Sequence, residues 1–169
     1  MNADEMRAVQ APLKERYRAD PKAALITLRA SGALDSAAIA CKVETGKALA
    51  VAGLHPATGG SGAELCSGDM LLEALVACAG VTLKAVATSM GVEVRSGEVT
   101  AEGDLDFRGT LGVDKQAAVG FTDIRLNFEL DTDAQQGELD TLLKLTERYC
   151  VVLQTLKRSP GIEVKLVRA

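Results

Sequence analysis

The chain has 169 residues, 47% apolar and 25% charged, a balance that fits one ordinary globular domain large enough to bury a core. A net charge of −4, one histidine and 3% aromatic residues exclude a basic stripe that follows a phosphate backbone and a platform on which bases stack, so no nucleic-acid partner is expected. The first residues alternate charge with apolar side chains and lack the unbroken apolar segment of a secretory signal, which reads as a cytoplasmic protein whose four cysteines are free or catalytic thiols rather than a disulfide framework.

Residues 2–18 carry an amphipathic helical pattern interrupted near Pro12. Asp20 and Pro21 supply an N-cap and a first-turn proline for a second helix reaching about Ser31, where Gly32 stops it. From Ser36 the period changes. Ile39, Cys41 and Val43 alternate with small or polar residues, and residues 45–47 turn the chain into a second strand at 48–52, a β-hairpin in which Cys41 reads as core. The glycine-rich stretch HPATGGSGAELCSGD then leads to Ser67, a cap for the helix that follows. In that stretch His55 reads as a loop residue, Gly59 and Gly60 as a turn, and Cys66 as an alternative thiol partner for Cys78.

The longest apolar run, residues 70–83, contains Glu73 and is closed by Lys84. It falls short of the ~20 residues that span a bilayer, so it predicts a buried core helix, carrying Cys78, and no membrane. Glu73 within it must either meet a cation or face solvent, because an unpartnered buried charge costs several kcal/mol. Two half-buried antiparallel strands follow. Val99, Ala101, Gly103, Leu105 and Phe107 alternate with polar residues in the first, as do Ile124, Leu126, Phe128 and Leu130 in the second. Asp133 then caps a helix in which Leu139, Leu142, Leu143, Leu145 and Tyr149 recur at helical spacing and which carries Cys150. After Ser159, Pro160 and Gly161 a last strand covers residues 162–167. The order predicts an α+β fold, helices packed on antiparallel sheet.

Two thiols delivered by separate helices can be oxidised through sulfenic acid to a disulfide. Several features around them, in this order, resemble the OsmC/Ohr family of organic hydroperoxide reductases and their relatives: Gly59 and Gly60, then SGDMLLEALVAC ending at Cys78, then Thr82 and Leu83, and later YCVVLQTL containing Cys150. The resemblance covers residues 36–169 as one OsmC/Ohr-like domain and leaves residues 1–35 as an N-terminal helical extension. It implies an intertwined homodimer with antiparallel sheets packed around central helices. It also implies Cys78 as the peroxidatic thiol, Cys150 as the resolving thiol, an organic hydroperoxide substrate and a dithiol reductant, with no metal or organic cofactor.

A thiolate is the nucleophile, and a thiol on an apolar helix needs help to ionise. Cys78 lies more than two turns into its own helix, beyond the reach of that helix's dipole, so a neighbouring cation is expected to act on it. In family peroxidases an arginine and a glutamate supply that environment. Here no arginine lies between Arg29 and Arg95, leaving Lys42 and Lys47 in the hairpin, and Ser67 and Gly68 stand where proline and glutamate are expected. At ~100° per residue, Asp69 points opposite to Cys78 and Glu73 about 140° away, which leaves Glu64 and Arg148 as the other candidate charges. Val151 stands where many relatives have proline. These departures set a second reading beside the peroxidase: a non-catalytic relative, either an apolar-ligand binder or a slow redox sensor.

Overall fold

The structure is a computed structural model that describes residues 2–19, 31–34, 40–44, 49–112 and 114–168. The elements are α1 (Ala3–Ala19), β1 (Ser31–Leu34), β2 (Ala40–Glu44), β3 (Leu49–Gly53), β4 (Leu65–Cys66), α2 (Ser67–Met90), β5 (Ser96–Leu105), α3 (Phe107–Thr110), β6 (Phe121–Asp131), α4 (Gln136–Tyr149) and α5 (Val151–Lys157). This is the α+β mixture the patterning predicts. The chain divides into two compact units, residues 1–73 with 100–127 and residues 74–99 with 128–169.

The first unit contains a four-stranded sheet in the order β1-β2-β3-β4. The predicted hairpin is β2 and β3, antiparallel, with Cys41 opposite Ala52; the Cys41 side chain and the turn at 45–48, with Lys47, lie outside the described residues. Most of the helix expected from Pro21 also lies outside them, and its expected end at Ser31 is instead the start of β1, which pairs antiparallel with β2. α1 runs through Pro12 without ending there. The glycine-rich loop closes on a 3₁₀ turn, Pro56–Thr58. The His55 Nδ1 accepts the Ala57 N–H at 3.0 Å, Gly59 adopts φ 92°, and Gly60 lies so close to the Leu54 carbonyl that a Cβ would sit 1.7 Å from it. Gly59 and Gly60 therefore serve a turn. β4 joins β3 in parallel, Gly53 opposite Cys66, and passes directly into α2.

β5 and β6 form a two-stranded sheet, with Gly97 against Leu130 at one end and Thr122 Oγ1 donating to the Asp104 carbonyl towards the other, so the strands are antiparallel. Val99, Ala101, Gly103 and Leu105 are half-buried while Glu98, Thr100, Glu102 and Asp104 are exposed, the alternation expected of a strand with one wet face. On that wet face Arg125 binds Asp104 at 2.6 Å, Asp123 at 2.9 Å and Glu102 at 3.2 Å.

In the second unit, α2 contributes a stripe at a spacing of four, Leu75, Ala79, Leu83 and Ala87, each at most 5% exposed. Leu83 and Ala87 form the core with Val94 and Leu142, and Val86, Met90, Phe128, Leu130 and Leu139 pack around them. α2 ends in a Schellman turn: Gly91 is left-handed at φ 74°, its N–H reaches the Thr88 carbonyl at 3.3 Å, and the Val92 N–H reaches that of Ala87 at 2.9 Å. At 24 residues α2 is longer than the 70–83 run predicts, and by length and composition it is long and apolar enough to cross a membrane, as the central helix of a globular domain also is. Its burial corrects the expectation of a wholly buried helix. Only one stripe is covered within the chain, and Val81 is 73% exposed.

α4 begins at Gln136, where the Glu138 carboxylate accepts the Gln135 N–H at 2.9 Å. Asp133, expected as the cap, instead binds Arg95 at 2.6 Å, because that guanidinium also holds Asp131 and fixes the chain just before the helix. Residues 162–167, expected as a strand, pair with no strand among the described residues. Ile162, Val164 and Leu166 are 76%, 88% and 99% exposed, since an extended segment becomes a strand only where a sheet edge accepts its backbone.

Candidate functional site

Cys78 and Cys150 both belong to the second unit, and both are free thiols. Cys78 sits midway along α2, half-buried, with its carbonyl accepting the Thr82 hydroxyl at 2.7 Å. Cys150 is fully buried. It follows Leu142 and Thr146 at a spacing of four on α4, so the helix face that fills the core also carries the thiol inward.

Cys150 is not inside a helix, as its apolar surroundings predict. Its backbone is extended, φ −71° and ψ 108°, so α4 stops there and α5 starts at Val151. The Cys150 N–H still reaches the Thr146 carbonyl at 2.9 Å, and its own carbonyl accepts the Gln154 N–H at 2.9 Å; one residue closes one helix and opens the next. The corner is held by Gln154, whose amide donates to the Glu147 carbonyl at 2.6 Å, and by Lys157, which binds Glu147 at 2.8 Å. The break frees the first backbone N–H groups of α5 for another partner.

Those donors favour the ionised form of the Cys78 thiol. Burial pushes the Cys78 thiol up, but the Val152 N–H, the Cys150 side chain, the Val151 N–H and the Thr82 hydroxyl together outweigh it and bring the thiol below its ordinary pKa. Cys150 goes the other way. Burial raises it, the Leu153 N–H offsets part of that, and the neighbouring Cys78, as hydrogen-bond partner and as negative charge, raises it further. The two thiols thus have opposite tendencies: Cys78 is lowered and Cys150 is raised, which makes Cys78 the readier of the two to ionise.

Among the described residues, the groups that favour the Cys78 thiolate are neutral donors rather than the cation the sequence calls for. Arg148 is exposed, 5.6 Å above the Tyr149 ring. Glu73 and Asp69 are exposed on α2, and Glu64 accepts the Ser61 hydroxyl at 2.7 Å. Cys66 belongs to the first unit, half-buried at the end of β4, where it lines a cavity of about 290 Å³ with His55, Asp69 and Phe121. His55 stacks on Phe107, ring centroids 5.0 Å apart, besides capping its turn. Among the described residues no group of three or more histidine, cysteine or carboxylate side chains is placed to hold a metal ion.

Sequence reasoning missed the contribution of Val151 and Val152, because a backbone N–H leaves no mark in side-chain patterning. One signal was present: proline at position 151, as in many relatives, has no N–H to give, whereas valine does. Thr146 was also missed. Its hydroxyl is buried and meets no hydrogen-bond partner among the described residues.

Comparison with known proteins places this arrangement. Residues 60–165 match the family model described as OsmC-like protein. Among solved structures, the chain is similar to an OsmC-like protein from Mycoplasma pneumoniae, at 15% identity and TM-score 0.65, covering 79% of this chain and 89% of the other. It is also similar to an organic hydroperoxide resistance protein OsmC from Legionella pneumophila, at 16% identity and TM-score 0.61, covering 79% and 91%. A third is an organic hydroperoxide resistance protein from Elizabethkingia anophelis, at 15% identity and TM-score 0.63, covering 80% and 91%. No curated protein sequence matches the chain. Identities this low speak for the fold alone; with the family match across residues 60–165, the protein belongs to the OsmC-like family.

Proposed function

We propose that this protein is a cysteine-based peroxidase that reduces organic hydroperoxides. The feature that supports the reading is the pair of free thiols carried by one unit, Cys78 midway along α2 and Cys150 at the α4–α5 corner, with surroundings that lower the first thiol and raise the second. The Cys78 thiolate attacks the distal peroxide oxygen; the O–O bond breaks, Cys78 becomes a sulfenic acid, and the alkoxide takes up a proton to leave as alcohol. The Cys150 sulfur then attacks the sulfenic sulfur, expelling water and forming the Cys78–Cys150 disulfide. A dithiol reductant restores both thiols and leaves as its own disulfide.

The reading includes a cytoplasmic homodimer. Support for a second copy comes from apolar surface one chain leaves open: Val81 on α2, and the alternating Ile162, Val164 and Leu166, which have the pattern of a strand and no edge to join. Residues 1–35 are read as an extension to the domain at 36–169, although β1 within them pairs with β2.

The test is consumption of cumene hydroperoxide with a small dithiol present. Wild type is expected to turn over, Cys78→Ser to be inactive, and Cys150→Ser to stop at a sulfenic acid that dimedone traps. Consumption undiminished in both variants contradicts the reading. The neutral donors that support Cys78 among the described residues favour a second reading, a redox sensor that forms the same disulfide in a single slow turnover; disulfide formation without sustained consumption selects it.

A further inference from the structure

Arg95, Arg108 and Arg125 each bind two or more carboxylates. Arg148 and Arg158, among the described residues, meet none. Both line one groove of about 400 Å³ on the second unit, with Tyr149, Val151, Thr155 and Pro160. Arg148 is held over the Tyr149 ring at 5.6 Å, which orients its guanidinium without neutralising it. Gln154 also borders the groove, but its amide is committed to the Glu147 carbonyl at 2.6 Å. The Thr155 hydroxyl is exposed and has no partner within the described residues. In a chain of net charge −4, two unneutralised guanidiniums sharing a groove form a local positive field, and their forked donors match the geometry of an oxyanion. The rest of the wall is apolar. Val151 is 70% exposed, and Tyr149 and Pro160 are exposed beside it, so the groove offers surface to a short hydrocarbon as well.

We propose that the Arg148–Arg158 groove binds a small molecule that carries a terminal oxyanion, carboxylate or phosphate, on a short apolar body. The two guanidiniums and the Thr155 hydroxyl take the head group, and Val151, Tyr149 and Pro160 take the hydrocarbon. The site does not depend on the thiol chemistry, and its test reads binding rather than turnover.

The full-length protein is titrated by calorimetry with hexanoate, hexyl phosphate, hexanol and hexylammonium, and backbone amide shifts of Val151 and Thr155 are followed by NMR. One or both anions are expected to bind and to shift those amides, the better one identifying the head group, while hexanol and hexylammonium bind at least tenfold more weakly. Arg148→Gln and Arg158→Gln are each expected to weaken binding about fivefold, the upper end for an exposed ion pair, and raised salt to weaken it further. Lys115→Gln, which removes an exposed charge from the first unit and does not line the groove, is expected to leave binding unchanged. All three positions are exposed, and circular dichroism checks that the variants stay folded. No binding of either anion, equal binding of anion and alcohol, or equal losses in the Lys115 and arginine variants overturns the proposal.

Discussion

Val151→Pro tests the source of the Cys78 acidity. The substitution deletes one backbone N–H and asks little else of the fold: position 151 is the first residue of α5, where proline is favoured, and Cys150 before it is already extended at φ −71° and ψ 108°, the conformation a following proline requires. A hydrogen bond to a charged group contributes ~1.5–3 kcal/mol, and a sulfur acceptor in a half-buried position brings this to about 1 kcal/mol, or about fivefold in the thiolate fraction at neutral pH. The Val152 N–H ranks above that of Val151 and remains, so the loss is partial. The assay is the rate of iodoacetamide alkylation of Cys78 against pH, read by peptide mass spectrometry, with Val151→Ala as the control that trims the side chain and keeps the N–H. Val151→Pro is expected to move the profile to higher pH and slow alkylation about fivefold at pH 7, with Val151→Ala unchanged. A wild-type profile in Val151→Pro, or an equal shift in Val151→Ala, refutes the assignment of this acidity to the backbone donor.

Three further outcomes follow from the same geometry. In the wild type Cys78 is expected to alkylate at lower pH than Cys150, because the native state favours the thiolate of the first and the thiol of the second. By the same linkage, the Cys78 contribution to stability is present above the unfolded thiol's pKa of ~8.5 and lost as pH falls, whereas the Cys150 contribution is present below it and lost as pH rises. Thr146→Val replaces a buried hydroxyl that has no partner with a methyl group of the same shape, and is expected to raise stability by about 1 kcal/mol in urea unfolding; a loss of that size means the hydroxyl is used. Removal of residues 161–169 is expected to shift the proposed dimer towards monomer in light scattering with its helical content kept, and an undiminished dimer counts against the role given to the exposed Ile162, Val164 and Leu166.

Much of the fold was legible because its elements are strongly periodic. The alternation at residues 99–105 and 124–130 marked β5 and β6, and leucines at helical spacing marked α4, since each period is the direct result of burying one face. The boundaries were less legible where tertiary partners decide them. Arg95 takes Asp133 away from the helix start, and residues 162–167 show that a strand pattern makes a strand only when an edge is present. The pair Cys78 and Cys150 was found by its motif. Its chemistry was not, because the side chains near Cys78 in sequence suggested a missing cation, while the groups that favour the thiolate include main-chain donors on a helix that begins 73 residues later at Val151.

Peptide mapping after treatment with one equivalent of cumene hydroperoxide tests the central claim most directly. The account predicts a single intramolecular bridge between Cys78 and Cys150 formed in proportion to the peroxide consumed, with Cys66 still free. Unmodified thiols, or Cys78 carried to sulfinic acid with Cys150 untouched, contradict it.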